Sequence, residues 1–429
     1  MNMEIRRFWV RSGILSLLAG FSIGWAAQPV SDAGNDPIQQ AVKAQTTFAV
    51  ELYRALAGLP MPQKPVENVF YSPHSISSAM AVVFAGARGN TERQFCDVLH
   101  FWLPQESFHE AMGRLENQLT KQAAKGDYEL TIANALWMDR RTAFAEPFLK
   151  QVQNCYSANL ERVDFAANPS GAARVINQWV EKRTRERIKN LIPEGTLDTL
   201  TRLVVTNAVY FKGKWVLPFD PQVTRPDWFT VSTYTIREEG PQVETRRVQV
   251  PMMTRKDDFG YAENDICQIL ELPYTGGDLR MVILLPKDPD LIRLEQALTA
   301  DTLAEWLSRL DRREVEVYLP RFTLTWQEEL KGVFALLGLG TAFSADADFS
   351  GITGGKDLFL TNVLHKAFVK VDEEGTEAAA ATGAVMKLVS IQAPPPVFRA
   401  DKPFVFLIQD KSTGTVLFVG RVADPTKEK

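Results

Sequence analysis

Two hydrophobic periods alternate along this chain, one helical and one extended. Phe48, Leu52 and Leu56 share one face of a helix that begins after Pro37 and ends near Gly58. Ile76 to Ala85 is an Ala-rich apolar run, the pattern of a buried helix, and His109 to Ala124 is a more polar helical one. Ala172 to Asn190 returns to helical spacing and is stopped by Pro193. Tyr128 to Met138 alternates as a strand does. Leu203 to Phe211 is apolar on both faces, which suits the middle of a sheet rather than its edge. Arg280 to Pro286 reads as a strand. So does Glu314 to Trp326, where Glu314, Glu316 and Tyr318 alternate with Val315, Val317 and Leu319. Phe334 to Leu339 reads as a short helix, and the last three strands run from Val369, Val405 and Leu417. Helices come first and strands later, so the fold class is α+β.

One stretch fits neither period. Glu373 and Glu374 lead into Gly375, then Thr376, Glu377 and a run of Ala from Ala378 to Ala381, and the segment ends at Pro394-Pro395-Pro396. Such small side chains bury little surface, so the run is a poor core element. On a strand, Thr376, Ala378, Ala380, Thr382, Ala384, Met386 and Leu388 share one face. Glu377 and Lys387 both fall on the other. No Pro lies between Gly375 and Ala393, as a central strand requires. Ala is also the best helix former, and Thr376 with its acidic neighbours suits a helix start, so an exposed helix stays open on this stretch alone.

Composition narrows the class. The chain has 429 residues with 45% hydrophobic and 23% charged positions, enough for a large core. No linker, repeat or low-complexity tract divides it, so one domain over 36–429 is expected. The net charge of −4 gives no general pull toward nucleic acid. The densest basic run, Lys182 to Lys189, reads as a solvated helix face. Cys96, Cys155 and Cys267 have neither metal nor redox spacing; buried free thiols are expected, with a Cys155–Cys267 pair the other possibility. Arg6, Arg7 and Arg11 precede an apolar run from Ile14 to Ala27, with Gly24-Trp25-Ala26 at its end. That is a signal peptide over 1–26, shorter in its apolar part than the ~20 residues of a spanning helix. A secreted or periplasmic protein with no membrane association after cleavage follows as an expectation.

No catalytic constellation is visible. The chain lacks a Gly-x-Ser-x-Gly elbow, a Walker loop, a dinucleotide Gly pattern and a His-Glu-x-x-His motif. Its only His residues are His74, His100, His109 and His365. Neither an enzyme, a metal nor a cofactor is expected.

The chain resembles the serpins, the serine protease inhibitors that trap proteases by loop insertion. The resemblance rests on motifs in family order: Asn68 to Ile76, Thr206 to Trp215, Val250-Pro251-Met252-Met253, Leu270 to Tyr274, Leu364-His365-Lys366-Ala367, the Glu373 to Thr382 hinge, Lys402 to Phe406 and Leu417 to Val422. It implies the serpin fold: a large central, mostly antiparallel sheet, further sheets, about nine helices and an exposed reactive loop over 373–396. It also implies a hinge at Glu373, Glu374, Gly375, Thr376, Ala378 and Ala380. Ser72, Ser75, Asn207 and His365 match the hydrogen-bonded shutter beneath the main sheet, and Trp215 matches the breach at its top. The family places the scissile bond fourteen positions after the hinge Gly, giving Val389-Ser390. Counting back from Pro403-Phe404 gives Gln392-Ala393 instead. Val389 implies an elastase-like target, Leu388 a chymotrypsin-like one and Lys387 a trypsin-like one. The expected function is a monomeric, bacterial-type secreted inhibitor forming covalent complexes with serine proteases. A non-inhibitory carrier or chaperone is the alternative; such members often carry bulky, charged or Pro residues in the hinge.

Overall fold

The structure, a computed structural model, describes residues 36–58, 67–125, 127–156, 159–237, 240–376 and 394–428. Contacts divide the chain into Met1–Asp36 and Pro37–Lys429. The signal segment lies outside the described residues. Among those described, the helices are α1 (Pro37–Leu56), α2 (Pro73–Phe84), α3 (Gly89–Leu99), α4 (Gln105–Ala123), α5 (Glu146–Cys155), α6 (Pro169–Arg183), α7 (Ile292–Ala297), α8 (Ala300–Ser308), α9 (Lys331–Leu337) and α10 (Ser350–Thr353). The strands are β1 (Val69–Tyr71), β2 (Tyr128–Asp139), β3 (Asn159–Val163), β4 (Leu203–Lys214), β5 (Arg225–Arg237), β6 (Gly240–Glu263), β7 (Cys267–Pro273), β8 (Leu279–Pro286), β9 (Asp311–Pro320), β10 (Phe322–Glu329), β11 (Asn362–Val371), β12 (Gly375–Thr376), β13 (Val397–Arg399), β14 (Phe404–Asp410) and β15 (Val416–Val422).

A six-stranded sheet has the order β10-β11-β4-β2-β3, with the two-residue β12 also paired to β4. The pairs β10–β11, β4–β2 and β12–β4 are antiparallel, whereas β11–β4 and β2–β3 are parallel. A second sheet of nine strands runs from β1 through β15, β14, β8, β7, β6 and β9 to β13, with β5 on β6. Every residue of α2 is buried. The sequence makes this helix with Ser72 as its N-cap, accepting from the Ser75 N–H at 3.2 Å, and Pro73 in the first turn. One face of β4 adds Val205, Val209 and Phe211 to the main core. Its other face adds Val204 and Ala208 to a smaller core under Ile176 and Val180 of α6.

Several boundaries differ from the sequence pattern. The helix expected to reach Asn190 ends at Arg183, where the Thr184 hydroxyl receives at 3.2 Å the Ile188 N–H that a continuing helix would give to the Thr184 carbonyl. Arg185, Glu186 and Asn190 then adopt left-handed φ values of 49°, 63° and 52°. The basic run is therefore only partly a helix face. Its second half crosses the sheet: Arg187 sits 5.7 Å over the Tyr210 ring, Lys366 Nζ bonds the Lys189 carbonyl at 2.8 Å, and Gln327 bonds the Leu191 carbonyl at 3.0 Å. The single strand expected from Glu314 to Trp326 is two strands in different sheets, broken after Pro320, which has no N–H to continue a ladder. Val369 lies near the end of β11, not its start. All three cysteines are free, Cys267 buried and the others half-buried.

Candidate functional site

β11 and β12 are joined by a tight turn at Asp372–Gly375, closed by the Asp372 N–H on the Gly375 carbonyl at 2.9 Å. Gly375 pairs with Lys214 and Thr376 with Gly213, so the chain re-enters the sheet beside the top of β4. Gly375 has φ +148°, and a Cβ there would meet the Gly213 carbonyl oxygen at 2.1 Å, so no other residue fits. Thr376 is fully buried, its hydroxyl 3.0 Å from the Tyr274 hydroxyl.

Trp215, one residue beyond β4, holds this turn. Its ring stacks on Tyr274 with centroids 4.5 Å apart, and its Nε1 donates to the Asp372 carbonyl at 3.1 Å. Its backbone N–H donates to the Glu374 carbonyl at 2.9 Å, and that of Phe219 to the Glu373 carbonyl at 2.7 Å. The Glu373 carboxylate accepts from Thr224 Oγ1 and from Arg321 Nε, both at 2.6 Å. Burial alone would raise its pKa, but the bonds from Arg321 and Thr224 outweigh that and hold it below the ordinary value.

Further down the sheet, the structure brings Ser72, Ser75, Asn207 and His365 together. Burial pushes His365 down to about 3, so its ring is neutral at physiological pH. A neutral ring has one N–H, and the surroundings assign it to Nδ1, which donates to Asn207 Oδ1. Nε2 is then free to accept the Ser72 N–H at 3.3 Å. With its oxygen committed, Asn207 donates through Nδ2 to Ser75 Oγ and Asn134 Oδ1. Ser75 Oγ donates to Asn134 Oδ1 at 3.1 Å, and Asn134 Nδ2 returns to the Ser75 carbonyl at 3.2 Å. Ser72 Oγ donates to the Leu417 carbonyl at 2.6 Å. The chain of bonds thus stitches β11, β4 and β2 to each other and to α2, and α2 to the second sheet.

Asn134 and Tyr274 belong to this site, yet sequence reasoning gave neither a role. A signal for Asn134 existed: it is an amide between two Ala in an otherwise apolar stretch of β2, directly opposite Asn207. Arg321 and Thr224 left no such signal, because only the fold places them on Glu373. Ala378, Ala380, Lys387, Leu388, Val389 and Ser390 lie outside the described residues. Among the described residues, no group of three or more His, Cys, Asp and Glu is placed to hold a metal, and no helix is long and apolar enough to cross a membrane.

A family model described as "Serpin (serine protease inhibitor)" matches residues 43–425. The chain belongs to the serpin family. A leukocyte elastase inhibitor of Bos taurus is 41% identical over 395 residues, covering 90% of this serpin and 100% of the relative. An uncharacterized serpin-like protein of Methanosarcina acetivorans is 38% identical over 388 residues, covering 90% of this serpin and 86% of the relative. Human thyroxine-binding globulin superposes with a TM-score of 0.79 at 29% identity, covering 91% of this serpin and 100% of that chain. The expectation of a bacterial-type member finds no support in these mammalian and archaeal matches. As a serpin, the protein stands with inhibitors of serine proteases rather than with catalysts.

Proposed function

We propose that this serpin is a suicide substrate of an elastase-like serine protease, trapped when the cleaved loop enters the six-stranded sheet between β4 and β11. The observation that carries the reading is β12. Two residues of the loop already pair antiparallel with β4, at the top of a β4–β11 contact that is itself parallel. Continuing that register would bring Ala378 opposite Phe211, Ala380 opposite Val209, Ala384 opposite Val205 and Met386 opposite Leu203, the first residue of β4. Those four β4 residues face the main core, so three alanines and one methionine of the loop would enter it. Glu377 and Lys387 would face outward. An inserted strand replaces one parallel contact, the weaker kind per residue, with two antiparallel ones.

In the trapping reaction the protease serine attacks the carbonyl of Val389. The Val389–Ser390 bond breaks, the new amine at Ser390 leaves with a proton from the protease histidine, and an acyl-enzyme remains. Insertion then drags the protease across the sheet before water reaches the ester. Ser72, Ser75, Asn207 and His365, with Asn134, are the latch that must open. Trp215 and Tyr274 seat the hinge, and Glu373 anchors it. The leukocyte elastase inhibitor relative and the small apolar Val389 both favour an elastase-like target. The small-residue hinge argues against a carrier.

Incubation with pancreatic or neutrophil elastase tests this reading. A monomeric serpin should give a band of the summed mass that survives boiling in detergent. Clean cleavage without that band, for elastase, chymotrypsin and trypsin alike, sinks the inhibitory reading. We further propose export with removal of residues 1–26; the mature protein should then begin at Ala27 on N-terminal sequencing.

A further inference from the structure

A second site lies away from the loop, between α4 and β2. A cavity of about 200 Å³ there is lined by His74 and Ser78 of α2, Glu116 and Leu119 of α4, and Leu130 and Ile132 of β2. His74 is fully buried. Its Nδ1 is 3.0 Å from Gln45 Oε1, and Gln45 Nε2 donates to Met112 Sδ at 3.0 Å, so the amide oxygen faces the ring. Nδ1 therefore carries the hydrogen. Burial lowers the His74 pKa, so the ring is neutral and Nε2 presents a lone pair. That Nε2 has no hydrogen-bond partner among the described residues. The nearest charged atom is Glu116 Oε1 at 3.5 Å, which already accepts from the Ser78 hydroxyl.

Two acceptors thus face one another with no hydrogen between them, one neutral and one anionic. A group that satisfies both must bring at least two donors, and a positive charge suits Glu116. Both charged groups that act on His74, Glu116 and Asp410, are acidic, so the field also favours a cation. Water offers two hydrogens but no charge, an alcohol one and a carboxylate none, whereas an ammonium offers three together with the positive charge that Glu116 favours. The rest of the lining is Leu119, Leu130, Ile132 and Ala123, with Thr120 and Asn134 beside them, and its apolar side suits a short hydrocarbon chain. In water-sized terms the space equals about six or seven molecules at roughly 30 Å³ each, and buried apolar cavities of about 150 Å³ admit benzene. We propose that this cavity is a binding site for a small primary alkylammonium ion, its head group donating to His74 Nε2 and Glu116 Oε1 and its chain lying along Leu119, Leu130 and Ile132.

Asn134 also lines the cavity. An occupant would therefore press on the residue that joins β2 to Ser75 and Asn207. It should hold β2 against α4 and slow the parting of the sheet. This consequence rests on the proposed function; the binding does not.

Titration calorimetry on the intact protein with n-butylammonium chloride, n-butanol and sodium butyrate tests the site. Saturable one-to-one binding of n-butylammonium is expected, about tenfold tighter than n-butanol. Glu116→Gln, which keeps the shape and removes the charge, should weaken it about tenfold, and His74→Phe should abolish it. Absence of saturable binding, equal affinity for the alcohol, or unchanged affinity in Glu116→Gln overturns the proposal. The rate of elastase-complex formation with and without n-butylammonium is measured separately. Failure of the complex to form would remove the inhibitory reading while leaving the calorimetric result standing.

Discussion

Replacing Thr376 by Arg turns the hinge geometry into a number. Thr376 is fully buried, bonded to the Tyr274 hydroxyl and paired with Gly213. The space beside Gly213 is filled by the Tyr274 and Phe211 rings, 2.8 and 2.9 Å from where a Cβ would sit. A guanidinium has no room there and meets aromatic carbon. Leaving such a charge buried without a partner costs about 3–5 kcal/mol. The variant should escape by ejecting β12 from the sheet, and insertion must then force the charge back in. If half of a ~4 kcal/mol cost is felt in the transition state of insertion, that step slows by about 30-fold. Hydrolysis of the acyl-enzyme takes place on the protease and is unaffected. The ratio of turnover to trapping should therefore rise about 30-fold. The assay titrates a fixed amount of elastase with each protein and reads residual activity, with a denaturing gel to count cleaved and complexed serpin. Thr376→Val is the control. It keeps the branched shape and brings in no charge; leaving the buried Tyr274 hydroxyl unpaired costs about 1–3 kcal/mol, felt in the intact and the inserted state alike, so it should remain an inhibitor. An unchanged ratio in Thr376→Arg would falsify the assignment of this residue to the inserting face.

Three further outcomes are expected. Cutting the loop between Lys387 and Gln392 with a non-target protease should raise the melting temperature, because the freed strand gains hydrogen bonds to β4 and β11; equal melting of cut and intact protein means that the loop does not insert. Gly375→Ala should lower the urea midpoint by an amount equivalent to about 1–3 kcal/mol, since the residue combines φ +148° with a 2.1 Å approach to the Gly213 carbonyl; a midpoint equal to the parent's refutes the strain argument. Stability should also fall in acid. His365 and His109 titrate at about 3 and about 4 in the folded protein, held down first by burial, and near 6.5 when unfolded. Folded-state values below the unfolded ones mean that the unfolded chain binds more protons in between. Each contribution is complete above pH ~6.5 and drains by about 1.4 kcal/mol per pH unit below it. A melting temperature independent of pH between 6.5 and 4 contradicts this.

What was readable in the sequence was whatever repeats or sits beside its own partner. β4 announced itself because both of its faces are covered, and α2 because every position is buried. Ser75, Asn207 and His365 have no local pattern that marks them and Ser72 is marked only as the cap of α2, so the four were legible only as a matched set. The early end of α6 escaped the helical period because it depends on one hydroxyl, that of Thr184, taking the Ile188 N–H that a continuing helix would give to the Thr184 carbonyl. The split between β9 and β10 escaped the alternation because the alternation survives the sheet change; only Pro320 marks it. Arg321, at that break, acquires its bond to Glu373 across 52 positions, which no short-range pattern encodes.

The β11–β12 turn also sets a problem for the folding chain. A hairpin is the most local pairing a sheet offers, whereas Asn207 and His365 meet across 158 positions. Local contacts ordinarily form first, within microseconds for a hairpin. Here only the turn end of the hairpin is present, and the distant β4–β11 contact occupies the rest of its place. The reason lies in the covalent chain. β12 is fixed to β4 at one end and β13 to β9 at the other, so an uncut segment that zipped along β11 would have to pull β13 from its sheet. A peptide bond serves as the brake on an otherwise local reaction. The molecule thus reports on a single hydrolytic event, once, and the rigidity of a short strand at each end sets how faithfully it waits.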